Sequence, residues 1–147
     1  MLADDLRGKP PTTTDWFTLD AARVQAFADA TEDWQMIHLD DARAAAETPF
    51  GGAVAHGFLT LSMLSAMSYQ VVGTLPGVAS SVNYGFDRIR FISPVRVGKR
   101  IRGVFTVASV DEPEGALDVH WDVIIEIEDQ DRPALAANWI TRFFLED

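Results

Sequence analysis

The 147-residue chain reads as an α+β protein, helices first and an antiparallel sheet after, with one helix buried deeply enough for the sheet to wrap it. Three observations predict this. Residues 48–86 contain no Asp, Glu, Lys or Arg in a chain that is 23% charged, and so long a gap implies burial. Within that gap, residues 55–72 carry Leu, Met and Ala all round a helix, which leaves no face built for water. Beyond residue 78, four runs rich in Val, Ile, Phe, Tyr, Trp or Thr follow one another with turn signals between them.

Each element follows from its local sequence. Residues 1–14 read as an N-terminal arm, because they lack helical periodicity and Pro10-Pro11 favours extended backbone. Residues 16–19 suit a short strand. Asp20 is placed to N-cap a helix whose apolar stripe is Val24, Phe27 and Ala28. Asp40 is placed to cap a second, short helix over residues 41–47, ended by Thr48-Pro49 and Gly51-Gly52. The central helix over residues 55–72 is bounded by those glycines and by Gly73 with Pro76-Gly77. The strands are expected at 82–91, 100–110, 117–128 and 135–145. Ser93-Pro94 with Gly98, residues 112–115 and residues 129–133 separate them, and neighbours joined by short connections are expected to pair antiparallel.

Length and composition allow one domain, residues 1–147, with a full core and no second one. The absence of cysteine excludes disulfides and thiolate chemistry. The N-terminus is acidic and has no apolar stretch, so no secretory signal is expected and the cytoplasm is the expected compartment. His56, Ser62, Ser65, Ser68, Gln70 and the glycines interrupt any ~20-residue apolar segment, so no membrane span is expected. A net charge of −10 argues against nucleic acid as a partner. Six of the twelve basic residues nevertheless fall in residues 88–102, uninterrupted by Asp or Glu: Arg88, Arg90, Arg96, Lys99, Arg100 and Arg102. This strip suits either a small phosphate-bearing ligand or a solvated sheet face.

Asp33 and His38 are the groups best suited to moving protons near neutral pH. A spacing of five turns ~140° about a helix and points the two apart. For the pair to act together, residues 33–38 must form a loop or a helix end that folds them into one pocket. On the pair alone, a helix-end cap for Asp33 and a satisfied core histidine for His38 are the favoured readings. A metal site finds little support, since only His38, His56 and His120 exist and no HExxH motif is present.

Further residues carry a resemblance. Phe27-Ala28-Asp29-Ala30-Thr31-Glu32-Asp33 is followed by Ile37-His38-Leu39-Asp40 and Pro49-Phe50-Gly51-Gly52. Then come Ala55-His56-Gly57-Phe58-Leu59-Thr60-Leu61-Ser62 and Phe91-Ile92-Ser93-Pro94-Val95, closing on Gly98. In order and spacing, from about residue 16 to the end, these resemble the MaoC-like dehydratase, or (R)-specific enoyl-CoA hydratase, family, nearest to its NodN-like branch.

The resemblance implies a hot-dog fold, usually dimeric, in which an antiparallel sheet wraps a central helix. It implies a hydro-lyase of fatty-acid metabolism that interconverts trans-2-enoyl-CoA and (R)-3-hydroxyacyl-CoA, with CoA as part of the substrate and no metal or redox cofactor. Asp33 and His38 correspond to the catalytic pair, Gly57 to the residue whose N–H faces the thioester oxygen, and Ser65 to a supporting hydroxyl. His56 is expected to order the loop beside the substrate or to bond a backbone group, while Ser62 and Ser65 equally suit bonds to the carbonyl four residues back. Trp34 and Met36 suit either the acyl pocket or the core. Arg100 and Arg102 are the strip residues expected at the CoA phosphates.

Two departures stand out. Glu32 occupies a place where the family often has Gly, and Gln35-Met36 replaces Asn-Pro, which leaves the loop freer in φ and opens the question of acyl preference. Alternatives of the same fold are an acyl-CoA thioesterase and a non-catalytic module that binds acyl thioesters or serves as a dimer partner.

Overall fold

In the computed structural model, which describes residues 2–147, one antiparallel sheet packs against a long helix. The elements in chain order are α1 (Leu2–Arg7), β1 (Thr12–Thr13), β2 (Phe17–Thr18), α2 (Ala21–Thr31), α3 (Met36–Leu39), α4 (Asp41–Glu47), α5 (Gly57–Val72), β3 (Val78–Phe91), β4 (Arg100–Asp111), β5 (Ala116–Ile127) and β6 (Leu135–Leu145). The expected caps are in place. The Asp20 carboxylate accepts from Arg23 N–H at 2.8 Å, and the Asp40 carboxylate from Arg43 N–H at 3.0 Å.

The sheet order is β1-β4-β5-β6-β3, with β2 also on β4. This corrects the expectation that each run pairs with the next. Strands β4, β5 and β6 do so, but β3 pairs with β6 and not with β4. The cause lies in residues 92–99, which are tied to the segment before α5: Ala55 N–H donates to Val95 C=O at 2.8 Å and Val97 N–H to Ala53 C=O at 3.0 Å. The chain is thereby carried past the helix to the far side of the sheet. Strand β3 also begins earlier than its composition suggests, because pairing with residues 143–145 of β6 recruits the weak strand formers Ala79, Ser80 and Ser81.

Alternation along β5 separates the two faces. Val119, Trp121, Val123, Ile125 and Ile127 are buried, and the residues between them look outward. Leu59, Leu64, Met67 and Val71 of α5 join them in the core, together with Phe105, Leu135 and Trp139. Gly103 lets β4 pass close under the helix; a Cβ there would meet the Met67 sulfur at 2.9 Å.

Residues 2–7 depart from the expected extended arm. They form a helix that buries Ala3 and Leu6, held by Arg7 donating to Val110 C=O and to Glu112, each at 2.9 Å. Six residues are too few to be helical alone, and packing supplies what periodicity does not. Among the described residues, no helix is long and apolar enough to cross a membrane.

Candidate active site

The stretch between Asp33 and His38 folds as a helix end followed by a single turn. Helix α2 stops because Glu32 adopts the left-handed region, φ +59°, and the N–H groups of Glu32 and Asp33 both turn back to the Ala28 carbonyl. A non-glycine residue there costs about 1 kcal/mol of strain, which is the structural meaning of Glu32 standing where the family often has Gly. The chain leaves α2 at Asp33, whose carboxylate accepts weakly from Gln35 N–H at 3.3 Å, and re-enters a helix at Met36. His38 lies on that one-turn helix. The awkward spacing is resolved: suitable atoms of Asp33, His38 and His56 lie within 4.8 Å of one another.

Backbone carbonyls fix the proton positions on both imidazoles. His38 Nδ1 lies 2.6 Å from Val54 C=O, and a carbonyl only accepts, so Nδ1 carries the hydrogen and Nε2 keeps its lone pair. His56 Nε2 lies 3.0 Å from Asp33 C=O and is a donor by the same argument. The rings stack with centroids 3.7 Å apart and planes 25° from parallel.

Burial is the main force holding the His38 imidazole below its ordinary range, and the neighbouring His56 ring adds to it; the Val54 carbonyl and Asp33 act in the opposite sense. His38 is therefore a neutral base at pH 7. The two carbonyl bonds leave His38 Nε2 and His56 Nδ1 as the ring nitrogens not bonded to a carbonyl.

Gly57 opens the sixteen-residue α5, with His56 as its N-cap. Its N–H is one of the first-turn donors with no acceptor inside the helix, at the positive end of the helix dipole. A Cβ there would lie 3.0 Å from the Phe91 ring, so glycine lets that ring pack close to the start of the helix. Beside it opens a cavity of about 310 Å³ walled largely by apolar groups, among them Ile37, Phe50, Val54, Phe91 and Pro94. Asp33 and His38 do not themselves line this hollow; Ile37, which precedes His38, and Val54, whose carbonyl holds the His38 ring, do.

Other candidates fall elsewhere. Ser65 does not join this cavity; it lines a smaller one farther along α5, with Ser68, Tyr69, Asn83 and Thr141. Ser62 takes the bond to the carbonyl four residues back, donating to Phe58 C=O at 2.6 Å. Gln35 precedes α3 as its N-cap without a side-chain bond, and Trp34 is turned to solvent, where its indole N–H donates to Asp29 at 2.8 Å.

The basic strip also reads differently in three dimensions. Arg100 pairs with Glu128 at 2.6 Å and Arg102 with Glu126 at 2.7 Å, both over the Trp16 ring. Arg96 is spent on Asp41 and the Phe50 carbonyl. Arg100 and Arg102 are thus not free cations waiting for phosphate. Sequence reasoning missed the Val54 carbonyl and Phe27, whose ring packs 5.0 Å from His56; a carbonyl has no side-chain signature, and Phe27 reads as ordinary core.

Known proteins resemble the chain in sequence and in fold. The model of the MaoC-like domain matches residues 4–123. Nodulation protein N of Rhizobium meliloti (strain 1021) is 48% identical over 136 residues, covering 92% of this chain and 84% of that protein. The 3-hydroxyacyl-thioester dehydratase Z of Mycobacterium tuberculosis (strain ATCC 25618 / H37Rv) is 39% identical over 137 residues, covering 92% and 89%. Among solved structures, the (R)-hydratase of A. caviae involved in PHA biosynthesis superposes with a TM-score of 0.70 at 26% identity, covering 90% of this chain and 92% of that one. An α+β sheet around a central helix, the matching domain model and these relatives together place the chain, as a hot-dog protein, in the MaoC-like family.

Proposed function

We propose that the protein is a hydro-lyase that interconverts trans-2-enoyl-CoA and (R)-3-hydroxyacyl-CoA. The observation that carries this reading is the Asp33–His38 pair: a carboxylate and an imidazole within reach of one shared water, with the imidazole tautomer fixed so that Nε2 accepts. In the hydration direction, a water between them loses a proton to the pair as its oxygen adds to C3. The electrons of the C2–C3 double bond shift toward the thioester oxygen, which the Gly57 N–H stabilises. The pair returns the proton to C2, so that one water is added and nothing else is consumed. No metal or redox cofactor enters these steps, and CoA enters only as part of the substrate. The names of the mycobacterial and A. caviae relatives support the reaction class, while the name of nodulation protein N states no reaction.

The reading includes a homodimer or higher homo-oligomer. Strand β3 pairs on one edge only, and Val82, Tyr84, Phe58 and Tyr69 are exposed along it and on α5, the kind of edge and apolar surface that a second copy covers. A cytoplasmic setting in fatty-acid metabolism follows from the substrate class.

The experiment is a spectrophotometric assay over a panel of enoyl-CoAs. Loss of enoyl absorbance with the wild-type chain, abolished in Asp33→Asn, is the expected result. Thiol release instead identifies a thioesterase, and binding without turnover a non-catalytic module; either replaces the proposal.

A further inference from the structure

We propose that His56 is the positioning residue of the site, a single buried imidazole that locks the Asp33 loop, the His38 ring and the first turn of α5 to one another. The catalytic consequence rests on the hydratase reading; the structural one does not. His56 is 2% exposed. Its one donor, Nε2–H, is spent on the backbone carbonyl of Asp33 at 3.0 Å. One face of the ring lies on His38 at 3.7 Å, and Phe27 of α2 packs against it at 5.0 Å. Its own carbonyl accepts from Leu59 and Thr60, which starts α5, so the residue that holds the acid–base pair also fixes where the Gly57 N–H begins.

A histidine serving only as core would be interchangeable with phenylalanine; this one has a donor with a specific task. Its other nitrogen, Nδ1, is buried without a partner. By contact the His56 ring discourages charge on His38. The titratable groups facing the ring are Asp33, from the loop, and His38, from α3; α2 presents Phe27, and the first turn of α5, Gly57 to Thr60, presents none. The stack thus has two effects that are separable by experiment. The hydrogen bond sets where Asp33 stands, and the second imidazole helps to keep His38 a free base.

The test uses His56→Phe and His56→Asn in the full chain. Two readouts are followed, the titration of the His38 ring by NMR and the pH dependence of enoyl-CoA turnover. In His56→Phe, which keeps a ring but loses the donor and the second imidazole, the His38 titration is expected to move to higher pH. In the same variant kcat is expected to fall roughly 10- to 100-fold with little change in KM, as displacement of a reacting group does. His56→Asn, whose amide can donate to the same carbonyl, is expected to recover most of kcat while the His38 titration stays raised. Should His56→Phe leave the His38 titration unmoved, or should the two variants lose kcat equally and only in proportion to lost thermal stability, His56 is core packing and the proposal is overturned. The NMR arm needs no turnover, so it decides the role of His56 even if the wild-type chain hydrates no enoyl-CoA.

Discussion

Residues 33–38 and residues 88–102 attract attention in the sequence for the same reason: each concentrates charge-bearing or proton-handling groups in a short span. In the fold they meet opposite fates. The first span is assembled by tertiary contact. The Val54 carbonyl, brought up from the segment before α5, fixes the hydrogen on His38 Nδ1, and His56 donates to the Asp33 carbonyl. The second span is disarmed by tertiary contact, since Glu126, Glu128 and Asp41 neutralise half of its cations. Proximity along the chain says which groups share an element, but the partners that arm or silence them come from other elements.

This contrast can be broken or sharpened by substitution, and the largest effects belong to the first span. Asp33→Asn or His38→Ala should lower kcat by roughly 10²- to 10⁴-fold, with folding intact by circular dichroism. Normal hydration of crotonyl-CoA by either variant would end the assignment of the pair.

Next in size is a pH effect on stability. The His38 pKa is depressed in the folded state, so the unfolded chain binds the proton more readily. The stability that this contributes is full above about 6.5, the ordinary imidazole value, and is lost as pH falls from there through the folded pKa. Urea titrations between pH 7.5 and about 5 should show that decline, and His38→Gln should flatten it; an unchanged slope in the variant would assign the decline to other groups.

Glu32→Gly should stabilise the protein by up to about 1 kcal/mol, the strain of a left-handed non-glycine residue less the extra chain entropy of glycine. A lower melting temperature in that variant would mean that Glu32 makes a contribution beyond its backbone.

The smallest effect is expected from the second span. Replacing Arg100 and Arg102 by Ala should cost about 0–1 kcal/mol and leave KM for enoyl-CoA unchanged, because both pairs are exposed and both cations are already engaged. A clear rise in KM would return the strip to phosphate binding.

The sequence by itself determined the helix caps at Asp20 and Asp40, the course of α5 and the four long strands. These follow from near-neighbour chemistry: a side chain reaching an N–H three residues on, a period of two, a gap in charge. The expectation that α5 has no face for water is corrected by Phe58 and Tyr69, which are exposed. Tertiary structure alone decided that β3 lies on β6, that residues 2–7 are helical, that Ser65 faces a separate cavity and that Arg100 and Arg102 are paired. It also decided which nitrogen of His38 carries the proton. In each of these the deciding partner is remote in sequence and is often a backbone carbonyl or a packed surface, which no side-chain pattern announces.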